Sequence, residues 1–166
     1  MKGGTVAVLD VGKSNVKLSA CTAEGHVLET LTLPNRVLPG PPWRHHDLAA
    51  QNAFVLDGLA ALSRRHPLQH FVASGHGSGG MLVGDDPDRN GTGLVLPMID
   101  YEQLLPPGLN AAYAPQSGGF FDRGSAVMMA ACFDLGCVVY WLVPTAPPWW
   151  AGANGSMPPV RRIMAE

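Results

Sequence analysis

Charge is scarce in this chain of 166 residues: Asp, Glu, Lys and Arg make up 14% of it and leave a net charge of −2, where ordinary domains carry roughly a quarter charged residues. Such a balance offers no basic face for nucleic acid and no footprint for an anionic membrane surface, so neither is expected as a partner. Cysteine is equally sparse. Cys21, Cys132 and Cys137 are unevenly spaced and form no Cys-x-x-Cys pair, which points to a reduced, cytoplasmic compartment with Cys21 and Cys132 as small core residues. Long apolar runs are missing as well. Ala126–Leu135 is too short to span a bilayer and reads as a buried helix, and Met1-Lys2-Gly3-Gly4 opens on too short an apolar run for a signal peptide.

What is present begins with Val6-Ala7-Val8-Leu9-Asp10-Val11-Gly12-Lys13-Ser14-Asn15-Val16-Lys17-Leu18. A valine-rich run ends in a carboxylate, turns through small polar residues and re-enters an alternating apolar run, the pattern of two strands joined by a tight turn. Gly12 and Asn15 are the residues expected to accept positive φ there. The turn crowds backbone amides, Ser14 and Lys13 around Asp10. That suits a metal-bound polyphosphate, with the amides and Lys13 toward the anion and Asp10 toward magnesium or its water shell. An ordinary hairpin turn fits the same residues, and the local motif leaves both readings open.

Stronger labels fail. A Walker A loop needs a glycine where Ala7 stands. Gly75-His76-Gly77-Ser78-Gly79-Gly80 has dinucleotide-loop spacing, but Met81-Leu82-Val83 follows where a helix should open. His76 also occupies the first glycine position of a nucleophile elbow. His45-His46-Asp47 suits helix capping and solvent exposure better than a metal, because adjacent histidines diverge at a helix start.

Organisation follows from period and punctuation. Val27–Leu33 alternates as a third antiparallel strand with one wet face. Prolines at 34, 39, 41 and 42 make a loop. Asp47 is an N-cap for a helix running to Arg64-Arg65, whose charges suit the helix dipole. Gln69–Ser74 is the next strand, and the intervening helix allows it to lie parallel to the first. Met81–Val83 and Leu94–Ile99 read as another hairpin, with Pro97 ending it or marking an edge. Pro106–Gly108 and Pro115–Gly119 read as loop, and residues 137–166, which hold three of the four tryptophans, have no clear period.

Taken in order, the Asp10–Lys17 hairpin, the Ser74–Gly79 loop and Pro97-Met98-Ile99-Asp100-Tyr101-Glu102 resemble the amino-terminal domain of an FGGY-type carbohydrate kinase. The resemblance implies an α/β ribonuclease-H-like (actin-like ATPase) domain, with a mixed sheet that opens as a three-strand meander and crosses over through a helix. It covers residues 1–136, and 137–166 reads as an atypical tail, diverged or out of frame. The activity implied is phosphorylation of a sugar or polyol by ATP with Mg2+. Asp10 is then at the metal; Gly12, Lys13, Ser14 and Asn15 surround the phosphates, with Lys17 nearby. His76, Gly77 and Ser78 face the sugar, departing from the family's Ser-Gly-Gln-x-His-Gly at His76 and Ser78. Glu102, with Asp100 close by, aligns with an acid of the substrate loop, although both read as solvated if that loop is open.

The family's general-base aspartate and its second domain have no counterpart here, so a truncated kinase is expected, weak or inactive alone. Its exposed cleft wall predicts self-association. Two other readings stay beside it: an inactive sugar- or nucleotide-binding remnant, and an exopolyphosphatase-like phosphohydrolase, which shares the hairpin but not the two later segments.

Overall fold

A computed structural model describes residues 4–75, 81–84 and 92–116. They fall into two compact units, one within residues 4–38 and 46–75, the other within 39–45, 81–84 and 92–116. The expected Ala126–Leu135 helix, Cys132, Cys137 and the 137–166 tail lie outside the described residues.

The first unit is an open sheet with one helix on it. Strands β1 (Thr5–Val11), β2 (Asn15–Thr22) and β3 (Val27–Pro34) form the antiparallel meander expected from their alternation. Two-residue strands β4 (Val37–Leu38) and β5 (His45–His46) bracket the proline loop. Helix α1 (Leu48–Ser63) then leads to β6 (Leu68–Gly75), which lies parallel to β1. The sheet order is β3-β2-β1-β6. A single helical crossover places a late strand beside the first, as parallel pairing requires.

The period-2 pattern of β1 and β2 puts Leu9, Val16, Leu18 and Ala20 on one face, where α1 covers them with Leu62, Phe54, Val55 and Leu59. Leu18 lies opposite Leu9 on one side and Leu31 on the other, at the centre of this core. Gly58 makes the close approach possible. A Cβ at that position would meet Leu18 Cδ2 at 2.8 Å, so a residue that normally weakens a helix sets the distance between helix and sheet here.

Both ends of α1 are fixed by side chains. Asp47 is the expected N-cap and accepts from the Ala50 amide at 3.1 Å. At the other end Arg65 reaches β3 rather than only the helix dipole. It donates from Nε and Nη2 to the two carboxylate oxygens of Glu29, at 2.9 and 2.6 Å, and His66 Nε2 lies 2.9 Å from Glu29 Oε2. These two partners, Arg65 first, hold Glu29 down at a pKa of about 2 against its ordinary 4.5. His46, expected in solvent at a helix start, is 3% exposed and lies in β5.

Among its described residues, the second unit has little regular structure. The expected hairpin pairs at its mouth, through a Val83–Leu94 bridge and bonds from Gly84 N to Gly93 O and from Val95 N to Leu82 O. It does not continue as a strand to Ile99, which bridges His45 instead. A short helix α2 (Leu109–Tyr113) lies between the two expected loops, and a 3-10 turn (Ala114–Gln116) takes up the start of the second. No helix among the described residues is long and apolar enough to cross a membrane.

Candidate phosphate-binding turn and substrate-loop acid

Strands β1 and β6 run parallel, so their carboxyl ends emerge side by side. Asp10 pairs in register with Ser74, and Val11 with Gly75. In open α/β sheets, ligands collect at this end of the strands. Across the other neighbour, Asp10 lies opposite Lys17, and Lys17 opposite Thr32. Thr32, Lys17, Asp10 and Ser74 therefore form one polar row across four strands, on the face turned away from α1. Asp10 and Lys17 are both exposed, and directly opposed side chains are near enough to interact.

The turn closes through a bond from Gly12 N to Asn15 O at 2.9 Å. Gly12 does not take the positive φ expected of it; among the described residues, those at Gly25, Gly40, Gly93 and Gly108 do. Glycine is needed for another reason, since a Cβ would lie 3.0 Å from Asn15 O. Ser14 and Asn15 are exposed and Lys13 is half-buried.

Asn35, just past the end of β3, embraces the turn. Its side-chain Nδ2 donates to Gly12 O at 2.8 Å, and its backbone N donates to Ser14 O at 2.9 Å. Gln51 in the first turns of α1 donates in turn to Asn35 Oδ1 at 2.8 Å. Sequence reasoning missed both residues. The only signal was an amide side chain directly after the strand-ending Pro34.

In the second unit Asp100 is fully buried, which overturns the expectation of a solvated acid. Its Oδ2 lies 3.0 Å from Arg44 Nη2, and its Oδ1 accepts from the Glu102 amide at 3.3 Å. Backbone bonds from Asp100 N to Arg44 O and from Gln103 N to Asp100 O complete the anchor. Glu102 projects outward and is exposed. Trp43, itself buried, donates from Nε1 to Pro97 O at 3.0 Å, and Gln103 Oε1 accepts from Arg44 N at 2.9 Å. His76, Gly77 and Ser78 lie outside the described residues; Gly75, which precedes them, sits beside Val11. Among the described residues no group of three His, Cys, Asp or Glu side chains could hold a metal ion by itself.

No family model and no curated protein matches the sequence. Among solved structures, a carbohydrate kinase from Novosphingobium aromaticivorans superposes with a TM-score of 0.76 at 28% identity over 91% of this chain. The chain has the fold of the carbohydrate kinases. Its sheet and crossover are those of a ribonuclease-H-like, actin-like domain. More distant carbohydrate kinases share the fold: Plasmodium falciparum glycerol kinase with ADP, at a TM-score of 0.54, 12% identity and 87% of this chain, and ligand-bound xylulose kinase from Lactobacillus acidophilus, at 0.51, 12% and 73%. The chain spans 31%, 29% and 23% of the length of these three proteins respectively.

Proposed function

We propose that this chain supplies the phosphate-binding hairpin and part of the sugar pocket of an ATP-dependent sugar or polyol kinase. The observation that carries the reading is the Gly12–Asn15 turn at the carboxyl end of parallel β1 and β6, in a carbohydrate-kinase fold. The turn fits MgATP. It offers small residues at the tip, a lysine on it, and exposed Asp10 and Lys17 side by side beneath it.

In this reading Asp10 holds Mg2+ or its water shell, and Gly12, Lys13, Ser14, Asn15 and Lys17 hold the phosphates. Magnesium held there would supply charge neutralisation for the phosphates. The protein's part is positioning and electrostatic stabilisation, which phosphoryl transfer needs more than covalent help. His76, Gly77, Ser78, Glu102 and Asp100 serve the sugar side. Asp100 contributes chiefly by fixing the segment that carries Glu102, since its own oxygens serve Arg44 and the Glu102 amide.

The test is ADP release from MgATP across pentoses, hexoses and polyols, paired with MgATP titration of the chain. Asp10→Asn is expected to weaken MgATP binding about tenfold or more, the scale of a lost charge-assisted contact. Saturable MgATP binding without sugar-stimulated release identifies a binding remnant. Phosphate release from polyphosphate identifies a phosphohydrolase.

A further inference from the structure

We infer that Asn35, braced by Gln51, is a positioning residue that sets which way the peptide groups of the phosphate turn face; the inference rests on the MgATP reading of that turn. Asn35 is 8% exposed, so its amide works inside the fold rather than on the ligand. Both of its donors point at carbonyls of the turn, Nδ2 at Gly12 O and N at Ser14 O. A trans peptide aims its C=O and the following N–H in opposite directions. Drawing the Gly12 and Ser14 oxygens toward Asn35 therefore turns the N–H of Lys13 and of Asn15 to the opposite side of the turn. Carbonyl oxygens would repel an anion and amides attract it, so this one residue sorts the turn's dipoles by sign, its side chain acting on the Gly12 peptide and its backbone N–H on the Ser14 peptide.

Gln51 gives the device its direction. An unrestrained asparagine amide can flip and present Oδ1 to Gly12 O, which would repel it. Donation from Gln51 Nε2 occupies Oδ1 and leaves Nδ2 toward Gly12. Because Gln51 stands in the first turns of α1, whose N-terminus Asp47 caps, the turn's orientation is referenced to the helix rather than to the hairpin alone. The three groups span β1–β2, the end of β3 and α1, so no local sequence window contains the device.

The experiment uses the full chain and three variants, reading MgATP affinity by titration calorimetry, melting temperature, and the backbone amide resonances of Lys13 and Asn15 without ligand. Asn35→Asp keeps an acceptor for Gln51 but opposes Gly12 O with a carboxylate oxygen; affinity is expected to fall about tenfold or more. Asn35→Ala is expected to fall about tenfold, and Gln51→Ala, which leaves both bonds to the turn possible, about twofold to threefold. Shifts at Lys13 should rank in the same order, and those at Asn15 should be smaller, because the Asn35 backbone N–H keeps its bond to Ser14 O in every variant. Should the variants melt earlier yet bind MgATP as the unaltered chain does, Asn35 is merely structural and the inference fails alone. Should the unaltered chain show no saturable binding, the phosphate reading fails and takes the inference with it. Gln51→Ala guards the test if the Asn35 variants do not fold.

Discussion

The two units of this protein are held together by different means. The first rests on strand ladders and an apolar layer, in which Leu18 touches its neighbours by register and α1 by shape. The described part of the second rests on single side chains that reach distant partners: Trp43 to Pro97 O, Arg44 to the Asp100 carboxylate, and Gln103 to the amide of Arg44. A ladder distributes a loss over many bonds, whereas a side-chain anchor concentrates it. The candidate phosphate turn is carried on a ladder, and the substrate-loop acid on an anchor.

The contrast can be broken most sharply in the core. Leu18→Ala removes a fully buried side chain at the centre of the first unit and is expected to cost about 3–4 kcal/mol, read by denaturant melts. A smaller loss would mean that α1 settles onto the sheet and closes the cavity. Next comes Arg44→Ala, which removes the ion-pair partner of a buried carboxylate. Breaking such a pair costs several kcal/mol when both members are buried, and Arg44 is half in solvent, so about 2 kcal/mol is expected. Hydrogen exchange should locate the effect. Amides at Asp100 and Gln103 lose protection while those of β1 and β2 keep theirs, and uniform loss would refute the separation of the two units.

The smallest effect belongs to Glu29. Its pKa is depressed in the folded protein, so its contribution is complete above about 4.5 and is lost as pH falls through about 2. Melting temperature should therefore decline across that window, and Glu29→Gln should flatten the decline while leaving stability near pH 7 only slightly lower. An unchanged acid limb would show that the Arg65 and His66 contacts are screened by water.

Legibility in the sequence follows the same division. The meander, the Asp47 cap and the crossover to β6 were readable because period and punctuation are local properties. The Leu94–Ile99 segment was not. Its apolar pattern suits a strand, but Ile99 takes its partner from His45, more than fifty residues earlier, in a stretch fixed by Trp43 and Arg44. Asp100 misled for a related reason, since burial of a carboxylate depends on an arginine that no spacing rule connects to it. At the site, the turn could be seen, yet Gly12 was credited with the wrong virtue: closeness to Asn15 O matters, not positive φ. Asn35 and Gln51 stayed hidden because three separate elements must fold before they meet the turn.

Gly58 and Leu18 occupy one space between them. Their sizes are therefore coupled, with Leu31 Cδ1 the next atom at 3.4 Å from the same point. A chain drifting through sequence change meets a clash if residue 58 grows first and a cavity if residue 18 shrinks first, so either single step costs more than the two together. The helix and the sheet thus share a historical constraint as well as a physical one, written in two positions forty residues apart.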